Sequence, residues 1–210
     1  MKKMILSTML FLGLCSLMGA QDFEEWGLPV SYSGQKPVIT DFVSAILAPE
    51  DIGELLGEMK ENWDRYKAGK PLPQGRSFLV DVKNGYLRYE SADKDEDGNV
   101  YSSIVEFCYW NCSDGQHKVV GENTVCTENG QPFMGQFSGV SYLLYDGKTR
   151  TMTPAFESDL GINIDYPEGT DLLVNQLPRT GKTVEYRFRT PSGEHVAKYT
   201  WTGDKFVQSE

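Results

Sequence analysis

From residue 84 onward, glycines preceded by Asn, Asp or Ser cut the chain into short pieces, among them Asn84-Gly85, Asp97-Gly98, Asp114-Gly115, Asn129-Gly130, Asp146-Gly147 and Ser192-Gly193. Asn-Gly and Asp-Gly tolerate the positive φ angles of tight hairpin turns. The runs between them are rich in Val, Tyr, Phe and Thr. This combination predicts an antiparallel meander.

Each turn implies a register. With Asn84-Gly85 as a two-residue turn, Val82 faces Leu87, Val80 faces Tyr89, and Phe78 falls on the same side. Asp81 then faces Arg88 on the other side. One face is apolar and the other charged, as a half-buried hairpin requires. The same construction at Ser192-Gly193 sets Phe188 opposite Ala197, Tyr186 opposite Tyr199 and Val184 opposite Trp201. "SIVEFCYWN" and "GVSYLLYDG" are apolar on both sides, which places them at the centre of a sheet or at a sheet–sheet contact. Residues 155–181 show only turn residues and short apolar runs, and predict a long connection with one or two short strands.

Ahead of the meander the period changes. Ile52, Leu55, Leu56, Met59, Trp63 and Tyr66 fall on one helical stripe. Pro49, Glu50 and Asp51 suit its start, and Gly69 and Pro71 its end, so one amphipathic helix is predicted at about 50–68. A shorter helix over Phe42–Leu47 would have Asp41 as its cap. The expected fold is mainly β (α+β): an antiparallel meander sheet curled into a half-barrel or sandwich, with the N-terminal helix packed on its open side.

The chain opens MKKMILSTMLFLGLCSLMGAQDF. Lys2 and Lys3, a short apolar run and the small pair Gly19-Ala20 read as a cleaved secretory signal over residues 1–20, leaving one β-rich domain over 21–210. Cys15 follows Leu14 rather than a small residue, so cleavage after Ala20 is preferred to lipidation. Loss of the signal takes two lysines and no acid, moving the formal charge from −10 to −12. That balance argues against nucleic-acid binding, because phosphate would be repelled. No second long apolar run is present, so the mature chain is not expected to span a membrane. The expected location is the periplasm, the outer membrane surface or the extracellular space.

Candidate chemistry is sparse. Asp93, Asp95, Asp97, Gly98 and Asn99 match the opening of a calcium loop, in which alternate side chains turn hard oxygens inward. The twelfth position is Ile104 where a bidentate glutamate belongs, and Glu106 is two residues late. An acidic hairpin turn is the competing reading; calcium is the one cofactor considered. Cys108 and Cys112 would stand roughly 13 Å apart along a strand, too far for one bond or one metal. Asp114-Gly115 as a turn sets Cys112 beside His117, a conceivable Cys–His pair, and leaves Cys126 on the opposite face. Ordinary thiols are the preferred reading of all three, ahead of one disulfide. Arg187, Arg189 and Lys198 stand out from the acidic background as an anion or partner site, with Arg187 directly facing Lys198 in this register. Phe107, Tyr109, Trp110, Tyr142 and Tyr145 could line a sugar or lipid cavity, though core packing is the commoner use of such residues. No nucleophile or phosphate-loop motif occurs.

"MGAQDF" at the start and "LPRTGKTVEYRF…AKYTWTGDKFV" near the end resemble uncharacterised secreted proteins of gut-dwelling Gram-negative Bacteroidetes. The order of helix and meander, with "LLYDGKTRTMTP", is similar to periplasmic lipoprotein-carrier half-barrels. The resulting expectation is an exported, non-enzymatic binding or envelope-interaction protein whose partner is a small ligand, a lipid or an envelope protein. A periplasmic lipid or lipoprotein carrier and a calcium-dependent surface protein are the alternatives.

Overall fold

The computed structural model describes residues 27–133, 139–166, 168–170 and 172–209, with the backbone alone for residues 172 and 173. The expected signal segment and Cys15 lie outside the described residues.

Two helices precede the meander. Helix α1 spans Ile39–Ile46 and α2 spans Gly53–Lys67. Asp41 serves α1 from inside its first turn, accepting from Val38 N at 2.8 Å, so the helix begins before the predicted cap. Helix α2 starts after the acidic pair Glu50-Asp51 and ends at Gly69, whose φ of 65° allows Lys70 N to reach Arg65 O at 2.9 Å.

The strands are β1 Leu28–Pro29, β2 Arg76–Asp81, β3 Tyr86–Lys94, β4 Val100–Asn111, β5 His117–Glu128, β6 Gln131–Phe133, β7 Gly139–Asp146, β8 Thr151–Ala155, β9 Leu172–Gln176, β10 Thr183–Thr190, β11 Gly193–Trp201 and β12 Phe206–Ser209. They form two sheets. The larger runs β1-β8-β7-β5-β4-β3-β2, with β6 beside β5; the smaller runs β12-β11-β10-β9. All pairs are antiparallel. The larger sheet curls into a half-barrel.

Alternation sorts the side chains of the large sheet between two cores. Leu87, Tyr89, Val105, Phe107, Val120 and Tyr145 face the helices, meeting Ile39, Phe42, Met59 and Trp63. Tyr86, Cys108, Trp110, Val119 and Tyr142 face the smaller sheet, meeting Val184, Tyr186, Tyr199, Trp201 and Phe206. This two-sided burial is why β4 reads as apolar on both faces. It also divides the predicted aromatic lining: Phe107, Tyr109 and Tyr145 join one core, Trp110 and Tyr142 the other, and they line no common cavity.

Both register predictions are off by two residues. At the first hairpin Val80 pairs with Leu87, Phe78 with Tyr89, and Leu79 rather than Asp81 with Arg88. Asp81 instead accepts from Asn84 N at 3.2 Å and Asn84 Nδ2 at 2.9 Å, winding residues 82–84 into a 3₁₀ turn that Gly85 closes at φ 67°. At the last hairpin Thr190 pairs with Gly193, so Pro191-Ser192 make the turn. Phe188 then faces His195, Tyr186 faces Ala197 and Val184 faces Tyr199. A shift of two preserves which face each residue occupies, so the apolar face is as expected and only the partners change.

Candidate binding cleft

A concave site lies where α2 crosses β2 and β3. It begins with one exception to the helical stripe. Asn62 sits among Met59, Trp63 and Tyr66 and is 4 % exposed. A buried amide needs partners. Its Nδ2 donates to Glu58 O at 3.0 Å and to Tyr89 Oη at 3.0 Å. The Tyr89 hydroxyl donates to Glu58 Oε1 at 3.0 Å, and burial pushes its pKa up to about 12. Ser91 Oγ stands 3.2 Å from both Glu58 carboxylate oxygens.

Arg76 completes the network from the edge strand. Its Nε donates to Glu58 Oε1 at 2.6 Å and its Nη1 to Ala92 O at 3.0 Å. The two ends of the fork hold Asp93, Nη1 to Oδ1 at 2.7 Å and Nη2 to Oδ2 at 2.8 Å. The bidentate bond to Arg76 lowers the Asp93 carboxyl, and the bond to Asp93, with Glu58 behind it, raises the guanidinium. This floor closes one side of a cleft of about 600 Å³ rimmed by Glu61, Asp64, Arg65, Pro73 and Gln74. Tyr66, which follows Arg65 of the rim in the chain, is 40 % exposed and stacks on Trp63, ring centroids 5.5 Å apart, with Phe78 at 5.2 Å.

Glu58 and Asp93 have their oxygens committed to protein donors. They are arranged as a rigid acceptor–donor floor rather than as a base waiting for a proton. Four carboxylates and two guanidiniums line the cleft, which disfavours an anionic ligand.

Three of the four predicted calcium ligands are bonded within the protein. Asp93 belongs to the Arg76 fork. Asp95 accepts from Asn99 N at 2.8 Å and Asn99 Nδ2 at 3.1 Å, and the Asn99 side chain lowers its carboxyl. Gly98, at φ 91°, turns the chain from β3 to β4, and Asp97 is exposed. Among the described residues, no group of three or more His, Cys, Asp or Glu comes together as a metal site.

The basic trio lies on the outer face of the smaller sheet. Arg187 faces Val196 rather than Lys198. Glu185 takes Arg187 Nη2 at 2.5 Å and Lys198 Nζ at 3.6 Å, so the like charges share a carboxylate. Arg189 pairs in register with Glu194.

The three described cysteines are free, with Cys108 and Cys126 buried and Cys112 half-buried. Cys112 N donates to His117 O at 3.0 Å, as the turn predicted. The His117 ring is turned to acids instead: Nδ1 bonds Asp114, and Nε2 lies 3.8 Å from Asp146. His195 stacks on Phe188, 6.1 Å between centroids, beside a smaller cleft of about 320 Å³.

Glu58, Asn62, Arg76 and Tyr89 were not singled out from the sequence. Asn62 was the available signal, an amide inside an apolar stripe. Glu58 and Arg76 look like ordinary surface charges until the helix is laid on the sheet.

Together these features define a mainly β, three-layer protein with a polar cleft at a helix–sheet junction. No known family model, no curated protein and no solved structure matches the chain.

Proposed function

We propose that this is an exported, non-enzymatic binding protein, and that the cleft between α2 and the β2–β3 edge takes a neutral or cationic, hydroxyl-rich small ligand. The observation that carries the reading is the floor of the cleft. Arg76, Glu58, Tyr89 and Asn62 are held by one another, so their orientation is set before any ligand arrives. The exposed Tyr66 ring adds an apolar platform next to polar groups, the combination that fixes and orients small ligands. Acids on the rim favour hydroxyl donors and cations over anions.

The lipid or lipoprotein carrier reading draws on the half-barrel and its two helices. A lipid in that half-barrel would have to displace Phe42, Met59 and Trp63, each no more than 2 % exposed. The calcium-dependent reading draws on residues 93–99, whose first two carboxylates are already engaged.

The test is an amide NMR titration of residues 21–210 with neutral oligosaccharides, polyamines and a fatty acid. Saturable shifts over residues 58–66 and 73–93, weakened by Gln74→Ala and Tyr66→Ala, are expected with the first two classes. Shifts confined to the α1 core with the fatty acid would replace this reading by the carrier one. Turnover of chromogenic hydrolase substrates that disappears in Glu61→Gln would overturn the non-enzymatic assignment.

A further inference from the structure

Lys118, on β5, is 7 % exposed. Buried lysines are ordinarily paired with a carboxylate. Among the described residues this one is not: its Nζ bonds Asn111 Oδ1 and stands 4.6 Å from the centroid of the Tyr109 ring. Its cross-strand partner is Tyr145, whose hydroxyl donates to Tyr32 Oη at 3.1 Å. The Arg150 guanidinium covers the Tyr32 ring at 4.7 Å. Lys36 is close enough to act on Lys118 as a like charge. Burial, then Lys36, holds the Lys118 amine below its usual range.

The nearest acids are turned away. Alternation sends Asp146 to the opposite face of the sheet, where its Oδ1 accepts from Lys148 N at 2.7 Å and lies 3.8 Å from His117 Nε2. Asp114 is engaged by His117 on that same side. Among the described residues, none of Lys36, Lys118 and Arg150 makes an ion pair with a carboxylate. Arg150 also holds a φ of 58°, a region costly for a residue with a Cβ. Two of these cations thus lie over tyrosine rings, Lys118 over Tyr109 and Arg150 over Tyr32, and Lys36 acts on Lys118 as a like charge, in a chain of net charge −10.

We propose that Lys36, Lys118 and Arg150 form an oxyanion-binding site for a phosphate or sulfate group, walled by Tyr32, Tyr109 and Tyr145. An oxyanion supplies the charge that Lys118 lacks and relieves its repulsion with Lys36. The tyrosine rings hold the two cations that lie over them by cation–π attraction, so little side-chain freedom is lost on binding.

Inorganic phosphate and sulfate are titrated into residues 21–210 against chloride at matched ionic strength, with amide NMR and thermal melting as readouts. Saturable shifts at residues 32–36, 109–118 and 145–151, with a higher melting temperature in phosphate, are expected. Lys118→Gln and Arg150→Ala should each weaken binding about tenfold. Arg150 is exposed, so its variant keeps the test readable if Lys118→Gln fails to fold. Glucose 6-phosphate binding tighter than inorganic phosphate would assign the oxyanion to a phosphorylated sugar. Shifts that never saturate, that map elsewhere, or that are unchanged in Arg150→Ala would overturn the proposal.

Discussion

Arg76 grips both carboxylate oxygens of Asp93, at 2.7 and 2.8 Å, while its Nε holds Glu58 at 2.6 Å. One guanidinium from the edge strand therefore joins the helix to the start of the acidic turn. Arg76→Met would leave the partly buried Glu58 with hydroxyl partners alone. A loss of about 1–3 kcal/mol is expected in urea unfolding. Arg76→Lys should recover little of it, because an ammonium cannot fork onto two carboxylates. Full recovery by lysine would show that charge alone matters there.

The same bond bears on calcium. With Asp93 held by Arg76 and Asp95 by Asn99, binding calcium at residues 93–99 would require breaking these bonds first. Calorimetric titration of chelator-treated protein is expected to give no heat and an unchanged melting temperature. Heat that disappears in Asp95→Ala would make the turn a metal site.

Glu122 should set a slope in stability against pH. It lies on the helix-facing side of β5, is 9 % exposed, and its Oε2 has no hydrogen-bond partner among the described residues. Burial pushes its pKa from 4.5 up to about 7. Between those values the folded protein keeps a proton that the unfolded chain has released. Stability therefore falls as pH rises through this window and is level above it, by up to about 3 kcal/mol. Glu122→Gln should remove this contribution and stabilise the protein at about pH 8. Urea melts across the window read it directly, and an unchanged slope in the variant would assign it to other groups.

Gly75 sits where β2 enters the sheet, one residue before Arg76, at φ 76°. A Cβ there would stand 2.1 Å from Ala92 O, the carbonyl that Arg76 also uses. Gly75→Ala should cost more than about 1 kcal/mol and loosen the Arg76–Asp93 fork. Faster hydrogen exchange at the Ala92 amide, which donates to Gly75 O at 2.8 Å, is the specific readout.

Much of the fold was legible because it is local. Alternation assigned Phe78 and Val80 to the same face as Leu87 and Tyr89, and the structure agrees. The pairing missed by two residues because side chains set the turn: Asp81 wound an extra turn before Gly85, and proline took the corner before Gly193. Either change leaves side-chain alternation intact, so a hydrophobic pattern could not detect it.

Little of the cleft was legible. Glu58, Arg76 and Tyr89 come from three different elements and were indistinguishable from solvated or core residues of their own segments. The amino-acid sequence determined the elements, their buried faces and the acidic turn, through backbone preference and period, which act over a few residues. The sequence marked β4 as apolar on both sides, but the tertiary structure alone decided which two cores it divides, that Asp93 belongs to Arg76, and that, among the described residues, Lys118 is buried without a carboxylate. Those outcomes depend on which distant surfaces meet. Apolar burial drives such meetings without direction, and the charges are then paired, or left unpaired, by the geometry that results.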